Sequence, residues 1–222
     1  MAPIEPIHAA ATLVIWRAGI SGPQVLMGQR GAAAVFMPSK YVFPGGRVDA
    51  GDSGDPALLS AQCLHRLSLQ PLAQSPEAPA LIGAALRELT EETGLSLNPA
   101  ANTLRFIFRA ITPPGRSRRF DARFFMAAAT HLAEAPDDFA AASGELGHLH
   151  WIGLTEARAL DLPFITEVVL AEVTALLKGQ DQPGVPFFDN SGTTPQFRRL
   201  DQPSRLPLPT LLPPTLPPFS AG

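Results

Sequence analysis

Cysteine is scarce and long apolar runs are absent in this 222-residue sequence. The single cysteine, Cys63, excludes an internal disulfide framework and is typical of a reducing compartment. No apolar run approaches the roughly 20 residues needed to span a bilayer. The N-terminus carries no basic region before its short apolar stretch, so we do not expect a secretory signal. These features predict a cytoplasmic protein without membrane contact.

A surplus of charge of one sign is also lacking. The formal net charge is −3, which excludes broad electrostatic attraction to nucleic acid or to an anionic membrane. Lysine occurs only at Lys40 and Lys178, so most positive charge is arginine. With 45% hydrophobic residues the chain can bury a sizeable core. We expect one domain over residues 1–180 and a Pro-rich arm over 181–222. Within that arm, seven prolines in residues 201–222 exclude helix and central strand.

Apolar runs bounded by turn residues predict strands at 9–17, 24–29, 41–43, 104–111, 120–128 and 148–152. The turn Ser21–Pro23 predicts that the first two strands form a hairpin. A final helix is predicted over 155–177, with Thr155 as its cap signal.

The stretch from Ala80 to Leu95, ALIGAALRELTEETGL, predicts a helix with Pro79 in its first turn and Gly94 just past its end. One mostly apolar stripe consists of Ile82, Leu86, Leu89 and Thr93. A separate arc of about 100° carries three carboxylates, Glu88, Glu91 and Glu92. These acids repel one another unless a hard cation such as Mg²⁺ lies over them. The alternative is a charged, solvated face.

A glycine-containing turn upstream favours the metal. Residues 44–52 read PGGRVDAGD and residues 87–95 read RELTEETGL. Together they resemble the Nudix box, with Gly46 in the first position and Gly94 and Leu95 closing the pattern. Two features depart from the family. Asp52 stands where the family has Glu, and residues 53–86 separate it from Arg87, where the family has seven residues.

The resemblance implies an α/β (α+β) fold, a Nudix-type α/β/α sandwich with a mixed β-sheet and the box as loop–helix–loop. It also implies a hydrolase that uses Mg²⁺ or Mn²⁺ as its cofactor. The implied metal site takes a loop carbonyl of Gly45 or Gly46, together with Asp52 and the three helix carboxylates. The implied catalytic residues are Arg87, which holds the carboxylates, Glu88 as ligand or base, Glu92, and Glu145 as a further ligand or general base. For Glu145, a surface-loop acid is the alternative.

The segment 53–79 is interpreted as an insertion within the box. Its first part, PALLSAQCLHRLSL, predicts an amphipathic helix, and a proline-bearing linker follows. Two interpretations stay open, namely a cap over the substrate cleft and a passive surface helix.

Five arginines follow the box within fifteen residues, and their guanidinium groups suit phosphate oxygens. We expect substrate contacts from Arg109, Arg116, Arg118, Arg119 and Arg123, with a solvated hairpin as the alternative. The phrases RFDARFF and FPGGRVDAGD resemble the coenzyme A diphosphatase branch of the family. The implied substrate is a small-molecule diphosphate, coenzyme A or an acyl derivative, with ADP-ribose, NADH or another nucleotide as alternatives. A non-catalytic nucleotide-binding module is a further alternative, and a homodimer is expected by analogy alone.

Overall fold

A computed structural model describes residues 5–69, 72, 75–192 and 194–201 of the chain. These residues form nine strands: β1 (Ile7–Gly19), β2 (Gly22–Arg30), β3 (Tyr41–Val42), β4 (Gly45–Arg47), β5 (Arg105–Ile111), β6 (Arg119–Ala128), β7 (Leu146–Gly153), β8 (Val185–Asp189) and β9 (Gln196–Leu200). Four α-helices accompany them: α1 (Ala61–Ser68), α2 (Ala78–Thr93), α3 (Leu154–Ala157) and α4 (Phe164–Leu177). The strands predicted from apolar runs are confirmed. No helix in the described ranges is long and apolar enough to cross a bilayer.

The strands form one mixed sheet in the order β3-β2-β1-β6-β5-β8-β9, with β4 against β1 and β7 against β2. β1 runs parallel to β6, and β5 runs parallel to β8. Because successive residues of a strand point to opposite faces, Leu13 and Val14 of β1 enter two separate cores. α1 and α2 cover one face, and α3 and α4 cover the other. The predicted α/β/α sandwich is confirmed.

The helix predicted between Ala80 and Leu95 is α2. It begins two residues earlier, at Ala78, and places Pro79 in its first turn. Gly94 ends it in the left-handed conformation, with φ of 76°, which a glycine adopts without strain. Ile82 and Leu89 are fully buried against the sheet. The apolar stripe therefore fixes which way the opposite, acidic face of α2 points.

The segment 53–79 contributes to the core on the α2 side of the sheet. Ser60 Oγ accepts the Cys63 N–H at the start of α1, and Leu58, Leu59 and Cys63 are buried. The Leu104 N–H donates to the Leu58 carbonyl over 2.8 Å, which ties the segment to the start of β5. The segment thus supplies both core side chains and exposed positions. Its role, as a cap over the substrate cleft or as a surface helix, stays a prediction. Part of its proline-bearing linker (70, 71, 73 and 74) lies outside the described residues.

Two elements differ from the sequence-based predictions. β8 and β9 extend the sheet beyond residue 180, where we expected the Pro-rich arm to begin. Arg66 of α1 joins them to the insertion, since its Nε donates to Asp201 and its Nη2 donates to the Gln182 carbonyl. The stretch after residue 201 lies outside the described residues. The expected final helix is two helices, and the first is capped by Gly153, so Thr155 lies inside its first turn.

Candidate active site

Arg87 is the centre of a network that joins α2 to the glycine-containing loop. Its Nε and Nη2 donate to the two carboxylate oxygens of Asp52 over 2.8 and 3.0 Å. Its Nη1 donates to Glu88 over 2.9 Å and to Glu91 over 3.0 Å. Nη2 also donates to the Arg47 carbonyl over 2.9 Å. The planar fork of arginine permits this simultaneous contact with several acceptors. Arg87 thus contacts both the loop and the helix carboxylates, and its positioning role stays a prediction.

The loop glycines touch two of the three glutamate side chains of α2, those of Glu88 and Glu92. The backbone N–H of Gly45 donates to Glu92 Oε2 over 2.8 Å. Glu88 lies against the Cα of Gly46, and a Cβ there would come within 2.2 Å of Glu88 Oε1. β4 is itself held by antiparallel pairing of Gly45 with Thr12 on the central strand β1. The sheet therefore fixes both glycines, and a Cβ on Gly46 would require the Glu88 carboxylate to move.

Burial makes this site unfavourable for the ionised form of a carboxylate. Glu92 is 1% exposed, and burial raises its pKa to about 8, against the lowering effect of the Gly45 N–H. Burial also raises the pKa of Glu88 above its ordinary value, although Arg87 opposes the shift. The Arg87 guanidinium holds the pKa of Asp52 below its ordinary value. Glu92 and the half-buried Glu88 therefore favour a bound proton or cation, whereas Asp52 is stable as an anion.

Glu145 joins the site from a loop before β7. The Ser143 N–H donates to the Glu91 carbonyl over 2.8 Å, which docks this loop on α2. Repulsion from Glu145 contributes to the raised pKa of both Glu88 and Glu92, so the three carboxylates lie in one electrostatic environment. Glu145 itself is 59% exposed. The structure thus gathers all the predicted catalytic residues.

The sequence analysis missed Arg30, the last residue of β2. Its Nη2 donates to Glu145 over 3.1 Å, and its charge lowers the pKa of Glu92. Within the described residues the buried Nε of Arg30 has no hydrogen-bond partner. The pairing of Arg30 with Leu146 brings it beside Glu145. One signal was present in the sequence, because Arg30 and Lys40 are the only basic residues in the run before the glycines.

Three of the five arginines expected to bind phosphate are turned inward, so the structure corrects that prediction. Arg109 and Arg123, which are 1% and 2% exposed, both pair with the buried Asp121. Arg119 donates to the Asn190 carbonyl over 2.7 Å. Burial lowers the pKa of Arg123 to about 10. A shared internal carboxylate explains why these strand positions tolerate arginine. The remaining two, Arg116 and Arg118, are exposed in the β5–β6 turn.

The side chains as they stand do not form a closed metal cage. Among the described residues, no three carboxylate, imidazole or thiol side chains converge to hold a metal ion. Glu88 and Glu91 face Arg87, and Glu92 faces the Gly45 N–H. The donor set nevertheless fits a hard divalent cation, because buried carboxylate oxygens are its preferred ligands and gain most from its charge.

A surface depression of about 960 Å³ lies elsewhere and contains none of these carboxylates. It is bordered by Arg17, Trp151 and Lys178. Arg17 already has partners there, since its guanidinium lies 4.4 Å from the Trp151 ring centre and pairs with Asp137. We therefore place the candidate active site at the acidic face of α2 and not in this depression.

Searches against family models and against curated proteins find no match for this chain. Among solved structures, a Nudix hydrolase from Alicyclobacillus acidocaldarius is similar at 25% identity and a TM-score of 0.55, covering 80% of this chain and 98% of that one. The Nudix domain of NrtR from Shewanella oneidensis, solved with ADP-ribose, is similar at 12% identity and a TM-score of 0.51, covering 78% and 90%. The chain has the fold of the Nudix hydrolases, and the first likeness supports an enzyme of that class.

Proposed function

We propose that this protein hydrolyses a diphosphate bond in a nucleoside diphosphate derivative and depends on a divalent metal, Mg²⁺ or Mn²⁺. The observation that carries the proposal is the contact of the half-buried Glu88 and the buried Glu92 with the consecutive glycines Gly46 and Gly45. This contact is made although the chain places a long segment between the loop and its helix. Removing carboxylates from water against bare backbone costs free energy, and a bound cation would offset that cost.

The proposed metal ligands are Glu88, Glu91 and Glu92, with a loop carbonyl of Gly45 or Gly46. A bound divalent cation supplies charge neutralisation on the phosphate oxygens and lowers the pKa of an attacking water. Glu145 stands across from these residues and is available as a further ligand or as the base that accepts the proton of that water.

Arg87 and Asp52 position the helix glutamates and take no direct part in the reaction. Arg87 spaces Glu88 from Glu91, and Asp52 neutralises the guanidinium from the loop side. Both oxygens of Asp52 already accept hydrogen bonds from Arg87. We therefore propose that Asp52 mainly holds the Arg87 side chain in place, and that binding the metal is a secondary role of Asp52.

The positive charge that binds the substrate is proposed to come from arginines other than the buried Arg109 and Arg123. Arg30 borders the carboxylates and has a buried Nε–H without a partner among the described residues. Arg116 and Arg118 are exposed in the β5–β6 turn. A guanidinium binds phosphate oxygens bidentately, so we propose Arg30 as a direct phosphate contact and the two turn arginines as outer contacts.

The leading substrate is coenzyme A or an acyl derivative, on the sequence resemblance alone, and ADP-ribose, NADH or another nucleotide are the alternatives. A non-catalytic binding module is disfavoured because Arg87 and all three helix glutamates are in place and interconnected. A homodimer and a cytoplasmic location stay predictions.

A substrate screen tests the proposal. Purified protein is incubated with coenzyme A, acetyl-coenzyme A, ADP-ribose and NADH in Mg²⁺, in Mn²⁺ or in EDTA, and products are identified by mass spectrometry. We expect two phosphomonoester products from at least one substrate, only with metal. Glu92→Gln should lower turnover about 10²–10⁴-fold. Glu77→Gln is the matched control, since Glu77 is exposed just before the same helix and makes no side-chain cap. Metal-dependent cleavage that survives Glu92→Gln would contradict the assignment.

A further inference from the structure

The ten residues between β2 and β3 fold back on Arg30, the last residue of β2. The Arg30 N–H donates to the Lys40 carbonyl over 2.9 Å, and the Arg30 carbonyl accepts the Ser39 N–H over 3.1 Å. Beside these bonds, the side-chain amide of Gln29 donates to the Ser39 carbonyl over 2.9 Å. Both backbone groups of Ser39 therefore hold the end of β2. We call residues 31–40 the β2–β3 loop.

The backbone around Arg30 is strained. Ser39 and Met37 have φ of 61° and 52°, in the left-handed region that residues other than glycine rarely enter. On the facing strand β7, Arg30 pairs with Leu146, and His148 two residues later has φ of 48°. Three of the five left-handed residues other than glycine in the described ranges thus lie around one arginine. Strain of this kind persists only where surrounding contacts enforce it, and it is concentrated at functional sites.

The left-handed turn at Ser39 directs both of its backbone groups. Because φ is the rotation about the N–Cα bond, an ordinary value of about −65° would turn the N–H away from Arg30 while the carbonyl stays on Gln29. Ser39 itself is exposed, so its side chain is not part of the core. The contribution of Ser39 therefore lies in its backbone conformation.

Arg30 depends on this support because it stands at the end of a strand. Its side chain is 21% exposed, and its Nη2 donates to Glu145 over 3.1 Å. Its buried Nε–H has no hydrogen-bond partner within the described residues, so this donor is not used by neighbouring groups. A side chain that keeps a donor for a ligand needs a fixed backbone to direct it.

We propose that Ser39 is a positioning residue, whose left-handed backbone closes the β2–β3 loop on Arg30 and holds the Arg30 guanidinium beside Glu145 to receive a phosphate oxygen. This inference rests on the proposed function, in which Arg30 contacts the diphosphate. A turn that closes the loop without any effect on the Arg30 side chain is the structural alternative. The distinction matters because a small displacement of a group that contacts substrate lowers the rate severely.

Two variants of Ser39 and one distant control test this role. Ser39→Val carries a branched side chain that disfavours a left-handed φ, whereas Ser39→Gly adopts such a φ without strain. Asn102 is the matched control, because it is also exposed and left-handed, with φ of 59°, and lies in the turn before β5, away from Arg30. Asn102→Val therefore imposes the same backbone change elsewhere, and urea unfolding measures the stability cost of both valine variants.

The first readout does not depend on catalysis. In protein that carries isotope-labelled arginine, the Arg30 Nε–H signal is identified in the NMR spectrum by its loss in Arg30→Lys. We expect this signal to shift or broaden in Ser39→Val and to keep its position in Ser39→Gly and in Asn102→Val. An Arg30 signal that is unchanged in Ser39→Val would overturn the proposal, whether or not the protein is a hydrolase.

The second readout is kcat/KM for the substrate identified in the screen, measured in the natural background and in an Arg30→Ala background. A positioning role predicts that Ser39→Val lowers kcat/KM about tenfold in the natural background and less than about twofold once Arg30 is absent. Ser39→Gly should retain kcat/KM, and Asn102→Val should have the same small effect in both backgrounds.

Equal losses from Ser39→Val in the two backgrounds would overturn the proposal, since the effect of the turn would then not act through Arg30. A natural protein that cleaves no diphosphate would overturn the proposed function instead. In that case the Arg30 Nε–H signal alone decides whether Ser39 holds Arg30 in place.

Discussion

Gly45 donates its backbone N–H to Glu92 Oε2 over 2.8 Å, although 47 positions separate the two residues. The segment 53–79 lies between them in the sequence, yet its apolar side chains pack in the core that α2 also covers. The glycine-containing loop and α2 are therefore in direct contact.

Gly46→Ala should disrupt the site. The new Cβ would meet Glu88 Oε1 at 2.2 Å, and the carboxylate would have to move from its place. We expect turnover to fall at least tenfold because a catalytic carboxylate is displaced, whereas stability should fall by at most about 1 kcal/mol because the end of a flexible side chain can move. Turnover and urea unfolding measure the two effects. Gly51→Ala is the control, because no atom lies within 4 Å of its Cβ position, and equal losses in both variants would refute the steric explanation.

Arg87→Lys should lower turnover because an ammonium group cannot reproduce the fork that binds Asp52, Glu88 and Glu91 together. We expect a decrease of about 10–100-fold in kcat, as for a displaced catalytic group. Arg47→Lys serves as the control, since Arg47 contributes its backbone carbonyl and its side chain is exposed. A fully active Arg87→Lys variant would remove Arg87 from the positioning role.

Stability without metal should decrease with rising pH over a defined window. The Glu92 pKa is raised from 4.5 to about 8 by burial. Between these values the folded protein keeps the proton that the unfolded chain has released, so stability falls as pH rises, with a limiting slope of about 1.4 kcal/mol per pH unit. The loss is complete above about pH 8. Urea unfolding from pH 4.5 to 8.5 in EDTA should show a flatter profile for Glu92→Gln, and identical profiles would contradict the assigned shift.

Asp121→Asn should destabilise the fold strongly. Asp121 accepts hydrogen bonds from Arg109 over 2.8 Å at both carboxylate oxygens and also pairs with Arg123. An amide removes the negative charge between two buried guanidinium groups, and we expect a loss of about 3–5 kcal/mol. Asp137→Asn removes an exposed partner of Arg17 and should cost about 0–1 kcal/mol. Urea denaturation of both variants gives the comparison, and a loss below 1 kcal/mol for Asp121→Asn would show that the triad is not structural.

Local periodicity predicted the elements that carry the site. The apolar stripe of α2 and the run that forms β1 depend on neighbouring residues only, and the box residues form a contiguous pattern. β8 and β9 were missed because each has five residues, and a proline stands in the first of them. Short strands of this kind are stabilised by pairing with a distant strand, which sequence periodicity does not reveal.

The orientation of the arginines also required the structure. Arginine usually lies at the surface, yet Arg109 and Arg123 are buried. Both pair with Asp121, which lies on the same strand as Arg123 and on the strand next to Arg109. The place of Arg30 depends on the pairing of β2 with β7. The register between strands depends on the tertiary structure. Reasoning from the sequence alone therefore assigned the clustered arginines to phosphate binding without knowing which of them are buried.

The most direct test of the metal site is a Mn²⁺ titration of the purified protein, followed by electron paramagnetic resonance of the free ion. We predict saturable uptake by the natural protein, at least tenfold weaker uptake by Glu92→Gln, and unchanged uptake by Glu77→Gln. A natural protein that takes up no Mn²⁺, or a Glu92→Gln variant that binds it equally well, would contradict the proposal that these carboxylates hold a divalent cation.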